Sequence, residues 1–358
     1  METSSLRVFF YLPIDKDVPL PESIDNYWDW QKNLKTPQGF LWGRYHWVAQ
    51  TYLFLKAAGV DCLIVRELPS EGIVVSHIDY FSADYFPKTL KPNKKLFLIS
   101  MLVDRKFAKN PFSNLYVVHN PLQDDSKKFF YISPWPQINL IPRDCNRGER
   151  FENIAYYGRK GKLPRELYSD SFKEKMDSLG LNFIIKEPNQ WNDYSEVDAV
   201  IAFRGFNLKN IYKDKPALKL INCWKAGVPS VLGCESAYRI IGEKNKDYLE
   251  AKSPEEIIRC LGDLKSDIKL RRKIIENGTL KYKDYDNDKV VSMWKDFLSK
   301  AVFPAYHNWR KNTSGRGYFL LFSGAKGHLS VAINRINKKI YAAEKILKNK
   351  LAKISHKS

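Results

Sequence analysis

No stretch of this chain reaches the eighteen or so apolar residues that a membrane-spanning helix needs. Its best candidates, LFLISMLV and GYFLLFSGA, fall well short, so a spanning topology is excluded. Cysteine is scarce: the five, at 62, 145, 223, 234 and 260, are odd in number and show neither a CxxC pair nor a Cys/His cluster. That argues against a disulfide framework and a structural zinc, and fits a reducing, cytoplasmic compartment. A secretory signal is lacking too, because LRVFFYLP has no basic flank or cleavage site and reads as a first β-strand. Nor is there a GxGxxG fingerprint, so nothing implies a bound dinucleotide.

Acidic residues are in deficit. Fifty-nine Lys and Arg stand against 40 Asp and Glu, a formal charge of +19 that repels itself and attracts polyanions or anionic lipid surfaces. The plain alternative is solubility, with lysines spread over solvated faces. At 358 residues, 44% hydrophobic and 28% charged, the chain is long enough for two globular domains.

The first half alternates apolar runs with Pro-rich loops: RVFFYLP, CLIVRE, GIVVSHID, KLFLISMLVD, NLYVVHN and FFYISPW, each the pattern of a buried strand. After the first comes an aromatic loop with Gly39 and Gly43, then a helix through Val48, Tyr52 and Leu55 that stops at Gly59. Strand, Gly-containing loop and helix make the start of a Rossmann-like unit. The pattern lapses at NLIPRDCNRGERFE, residues 139–152, which marks a domain boundary. Beyond it βα alternation resumes: NIAYYG, a helix from Ser171 to Gly180, LNFIIKE, a short helix near Tyr194, DAVIAF, a helix, VPSVLG, and a helix opened by Ser253, Pro254 and Glu256 as a capping box. The resulting domains are 1–145, 146–300, and a 301–358 crossover and tail. From Leu329 onward Ile333, Ile336, Ile340, Leu347 and Leu351 fall on one stripe among many lysines, a basic amphipathic helix suited to an anionic membrane or to packing on the protein.

Residues 215–233, KPALKLINCWKAGVPSVLG, combine these signals. Pro216 suits a first helical turn, Leu220, Ile221 and Trp224 supply an apolar face, and Gly227 suits the end. Lys219 and Asn222, three apart, project together, and a helix N-terminus beside Lys215 and Lys219 suits a phosphate.

Two Rossmann-like halves with this motif and with NIAYYGRKGK at 153–162 resemble a GT-B glycosyltransferase, in particular the retaining family 4 and related sugar-nucleotide enzymes. The resemblance covers most of residues 1–300 and implies an α/β fold of two domains facing a central cleft. It implies a UDP- or GDP-sugar donor held by Arg159, Lys160, Arg204, Gly205, Lys219, Asn222, Glu235, Ser236 and Tyr238. Asn222 stands where that family commonly places a ribose-binding Glu, and Glu235 has Arg239 as an alternative partner. His77, Asp79 and His46 are the candidates for catalysis or sugar binding, with Asp104 beside them, and Gly39, Gly43 and Arg44 for an acceptor or phosphate loop. The aromatics Trp28, Trp30, Phe40, Trp42 and Trp47 could stack on an acceptor sugar or pack the hinge. Asp15 with Asp17, and Asp124 with Asp125, are acidic pairs, but the resemblance implies neither an essential metal nor a cofactor. It implies a cytoplasmic enzyme, peripheral on a membrane if the acceptor is lipid-linked. The rival readings are a nucleotide- or glycan-binding protein without turnover, and a nucleic-acid binder, for which no known module is visible.

Overall fold

The computed structural model describes residues 6–14, 17–34, 43–81, 95–105, 111–319 and 322–323. Gly39, Phe40, Trp42, Asp15 and the amphipathic tail from Leu329 lie outside them.

Every apolar run of the first half becomes a strand. β1 (Val8–Tyr11), β2 (Cys62–Val65), β3 (Gly72–His77), β4 (Leu96–Val103), β5 (Leu115–Val118) and β6 (Phe129–Tyr131) form one parallel sheet in the order β2-β1-β3-β4-β5-β6. LFLISMLV is buried along its whole length as β4, as a central parallel strand must be when both faces are covered. α1 (Tyr27–Asn33), within the aromatic segment read as a loop, is helical and buries Tyr27 and Trp28, while α2 (Gly43–Ala57) follows the pattern and presents Tyr45, Val48, Ala49 and Tyr52 to the core.

A second parallel sheet has the order β11-β10-β9-β7-β8. It holds β7 (Asn153–Tyr157), β8 (Asn182–Lys186), β9 (Ala199–Ala202), β10 (Ser230–Leu232) and β11 (Leu249–Glu250), with α3 (Asp170–Ser178), α4 (Leu218–Ala226), α5 (Ser236–Ile241), α6 (Pro254–Ser266) and α7 (Ile268–Tyr282) around it. Ser169 caps α3, and Ser253 Oγ accepts from Glu256 N at the start of α6, but the Glu256 carboxylate reaches back to Lys252 N. No helix forms at Tyr194; its place is taken by a 3-10 turn at Pro188–Gln190. Pro216 precedes α4 instead of opening it, and Gly227 closes that helix in the left-handed conformation (φ 67°).

α8 (Asn287–Phe297) and α9 (Phe303–Lys311), joined by a π-helical turn at Leu298–Val302, return the chain to the first domain. Val290, Trp294, Phe297, Val302 and Tyr306 share one core with Phe10, Tyr52 and Val75. Pro304, in the first turn of α9, has no N–H to give the preceding turn, which accounts for the irregularity. The crossover therefore begins before residue 300, and the first domain owns both ends of the described chain. No helix among the described residues is long and apolar enough to cross a membrane.

The boundary segment is pinned by one carboxylate. Asp198, its side chain wholly buried, accepts from Arg143 Nε and Nη2, Arg147 Nε and Nη2, and the backbone N–H groups of Glu152 and Asn153. Burial opposes its ionisation, yet Arg147, the two N–H groups and Arg143 outweigh it and hold the carboxyl below its ordinary range. This contribution is present above the unfolded carboxyl pKa and lost as pH falls through the folded one. Asp198→Ala strands two guanidinium groups, and a loss of about 3–5 kcal/mol is expected in urea unfolding. A loss below about 1 kcal/mol would show that the pin is not structural.

Candidate functional site

In parallel sheets the carboxyl ends of the strands carry the loops that meet ligands. Here the two sheets turn those ends toward each other, around a cleft of about 470 Å³. The first domain lines it with Gly43 and Arg44 at the start of α2, Trp47 one turn on, His77 at the end of β3, and Val103, Asp104 and Arg105 at the end of β4; the second contributes Arg159 after β7, Arg204 after β9, and Pro216.

Two polar residues that sequence reasoning passed over or underused bridge the domains. Asn120, fully buried after β5, points Nδ2 at Tyr212 O (3.2 Å), Lys215 O (3.0 Å) and Ser236 Oγ (2.9 Å). Its signal was a polar side chain, followed by Pro121, directly after a buried strand. Lys215 Nζ donates across the cleft to Asp104 O (2.7 Å).

On the second-domain wall Arg204 Nε donates to Glu235 Oε2 at 3.0 Å, and Glu235 is only 2% exposed. Burial pushes the Glu235 carboxyl up, with Arg204 and Lys219 pulling the other way. Lys219 does not itself line the cavity; its Nζ sits 4.4 Å over the Tyr156 ring. Burial and then the charge of Arg204 push its ammonium down to about 8, with Glu235 opposing. No carboxylate lies within ion-pair distance of Lys219 among the described residues. Gly158, before Arg159, lets Tyr156 lie this close, since a Cβ there would stand 2.7 Å from the phenol oxygen.

On the first-domain wall the backbone N–H of Asp79 donates to His77 Nδ1 (3.1 Å), so the neutral ring carries its proton on Nε2. Burial pushes His77 down to about 4, with Asp79 opposing. The ring is thus a neutral Nε2–H donor near pH 7. Asp79 is held by both Nε and Nη2 of Arg105. Burial opposes its ionisation, but Arg105 and His77 outweigh that and keep it below the usual range. Val103 has φ 54°, a conformation that costs a β-branched residue about 1–3 kcal/mol and redirects the chain into Asp104 and Arg105.

Several expected contacts are turned elsewhere. His46 accepts or donates at Nδ1 with Tyr27 Oη (2.6 Å), packed edge-on to Tyr27, Trp30 and Tyr45, and does not line the cleft. Asn222 Oδ1 accepts from Gln137 N (2.9 Å) and so ties α4 to the linker. Glu235 pairs with Arg204, while Arg239 pairs with Glu250. Ser236 serves Asn120, and Tyr238 is core, 1% exposed. Lys160 is exposed and Gly205 (φ 152°) opens the loop before α4; neither lines the cavity. Asp124 and Asp125 accept backbone N–H groups of residues 126–129 and 131, the work of a turn. Among the described residues no three His, Cys, Asp or Glu side chains converge as for a metal.

No family model and no curated protein matches the chain. Among solved structures, Anabaena HepE in complex with UDP and glucose superposes with a TM-score of 0.52 at 10% identity, over 82% of this chain and 100% of that one. The UDP-glucose complex of HepE gives 0.48 at 11% identity, over 82% and 100%. Sucrose-phosphate synthase from Thermosynechococcus elongatus gives 0.41 at 10%, over 79% of this chain and 78% of that one. These last two are too distant to carry an argument. The first shows a shared fold, and the chain has the GT-B arrangement of two Rossmann-like domains about a cleft.

Proposed function

We propose that the protein transfers a hexosyl group from a UDP- or GDP-sugar to a glycan or lipid-linked acceptor, in polysaccharide or glycoconjugate synthesis. The observation that carries this reading is the cationic second-domain wall: Arg204 held on buried Glu235, Lys219 behind it without an ion-paired carboxylate among the described residues, and Arg159 on the same cavity. The likeness to HepE, whose matched structure holds UDP and glucose, supports it.

In such a transfer the bond from the anomeric carbon to the diphosphate breaks, and negative charge builds on the leaving oxygen. Fixed cations beside that oxygen lower the barrier because they need no reorganisation as the charge appears. The nucleoside diphosphate therefore belongs against Arg159, Arg204 and Lys219. His77, as an Nε2–H donor, orients a sugar hydroxyl, and Asp79 and Arg105 hold that part of the wall in place. The oxygen of an acceptor hydroxyl on the first-domain side forms the new bond to the anomeric carbon, and its proton passes to the departing diphosphate oxygen.

A panel of UDP- and GDP-sugars, assayed for nucleotide release, tests the reading. For the tightest-binding member, Lys219→Ala should weaken binding by about ten- to a hundredfold, the worth of a charge-assisted hydrogen bond. Because the protonated amine binds the diphosphate, affinity should be full below about pH 8 and fall as pH rises through it, a slope that Lys219→Met should abolish. Unchanged affinity in Lys219→Ala, with no slope in the parent, would remove that residue from the donor site.

We also propose that the protein acts at an anionic membrane surface on the cytoplasmic side, as a peripheral enzyme. The charge of +19, the basic sequence pattern of the tail, and the exposed Tyr318 and Phe322 just before it support this. Co-sedimentation with phosphatidylglycerol-containing vesicles should fall sharply when residues 325–358 are removed; equal recovery would count against it.

A further inference from the structure

Of the aromatics in the N-terminal segment that the structure describes, Trp47 alone lines the cleft. It lies on α2 four residues after Gly43, so the helix turns both toward the cavity. One face of its indole is covered by His119, with ring centroids 4.5 Å apart and planes 26° from parallel. His119 is itself fixed: it is 1% exposed, and Nδ1 donates to Ile132 O at 2.7 Å. The backbone adds to this rigidity, since Thr51 Oγ1 donates to Trp47 O (2.8 Å) and accepts from Trp135 Nε1 (2.9 Å). A half-buried indole with one face occupied by a locked ring offers its remaining surface to the cavity.

The wall around it is balanced in charge. Arg44 and Arg105 stand against Asp79 and Asp104, Arg105 bonds to both carboxylates, and His77 is neutral. The second-domain wall differs, with Arg159, Arg204, Lys215 and Lys219 against Glu235 and Asp214. The anionic part of a substrate pair is therefore matched on one side of the cleft only. An aromatic face favours the weakly positive C–H face of a pyranose, while the His77 Nε2–H and the Asp104 carboxylate at the rim suit its hydroxyls.

We propose that Trp47 is the platform on which the terminal pyranose of the acceptor stacks, and that this pyranose carries no charge. The inference rests on the glycosyl-transfer reading and adds to it the class of acceptor. Stacking of the donor base on Trp47 is the competing outcome, since any base offers a π-face.

Saturation-transfer NMR on the full chain in the presence of UDP tests this, with the methyl glycosides of glucose, galactose, mannose and N-acetylglucosamine and with methyl glucuronoside as probes. At least one neutral glycoside should receive saturation on its ring C–H protons, and the glucuronoside should receive less; this comparison needs no variant. In Trp47→Ala that glycoside should bind about three- to tenfold more weakly, the scale of an aromatic stack, with Trp47→Phe in between. UDP affinity should change by less than about twofold across the three proteins. A glucuronoside preferred over every neutral probe, equal glycoside binding in Trp47→Ala, or no glycoside signal in the parent would each overturn the proposal. So would a loss of UDP affinity in Trp47→Ala with glycoside binding kept, because that places the base on the indole. Failure of the parent to bind UDP or any sugar nucleotide would instead strike the transferase reading, while the glycoside arm still reports on Trp47.

Discussion

Arg204 faces the cleft because a carboxylate that water hardly reaches holds it there. Glu235, 2% exposed, is an acid at the start of a helix that would be expensive to bury alone, and the guanidinium 3.0 Å away makes its burial tolerable. Around this pair the electrostatics of the second-domain wall take shape. The charge of Arg204, added to burial, depresses the Lys219 ammonium, and Lys219 finds the Tyr156 ring in place of a counterion. Gly158 leaves room for Tyr156, and the next residue, Arg159, reaches the same cavity. A bound diphosphate would supply the negative charge that this arrangement lacks.

The domains meet mainly through polar contacts. Asn120 satisfies carbonyls in the loop before α4, Lys215 reaches Asp104, and Lys225 Nζ and Asn222 Oδ1 engage the backbone of Gln137 in the linker. Such an interface is easily remade, which leaves the width of the cleft free to change. The return of α8 and α9 to the first core gives each domain a separate apolar interior, so that small rotations between them disturb neither.

Strand positions were legible because each is a short apolar run ended by a turn residue, and a parallel sheet demands little else. The α4 motif was legible for the same reason, with Gly227 ending the helix as its position suggests. Side-chain direction was harder. Lys219 and Asn222 are three apart, but the rise of about 4.5 Å along α4 carries Asn222 past the cleft to the linker. His46 and Tyr238 fall on core faces of their helices, where Trp30 and Tyr248 pack against them. α1 was hidden because its aromatic, polar sequence lacks a clean period, and its helix owes more to packing of Tyr27 and Trp28 than to propensity. Asn120 was missed because its role depends on partners more than ninety residues away.

If the second-domain cations hold the diphosphate of a sugar nucleotide, a crystal structure of the full chain with UDP will show phosphate oxygens within hydrogen-bond distance of Arg204 and Arg159, with Lys219 Nζ drawn from the Tyr156 ring toward them and the Arg204–Glu235 pair intact. UDP seated with its phosphates on the first-domain wall, or outside the cleft, would contradict it.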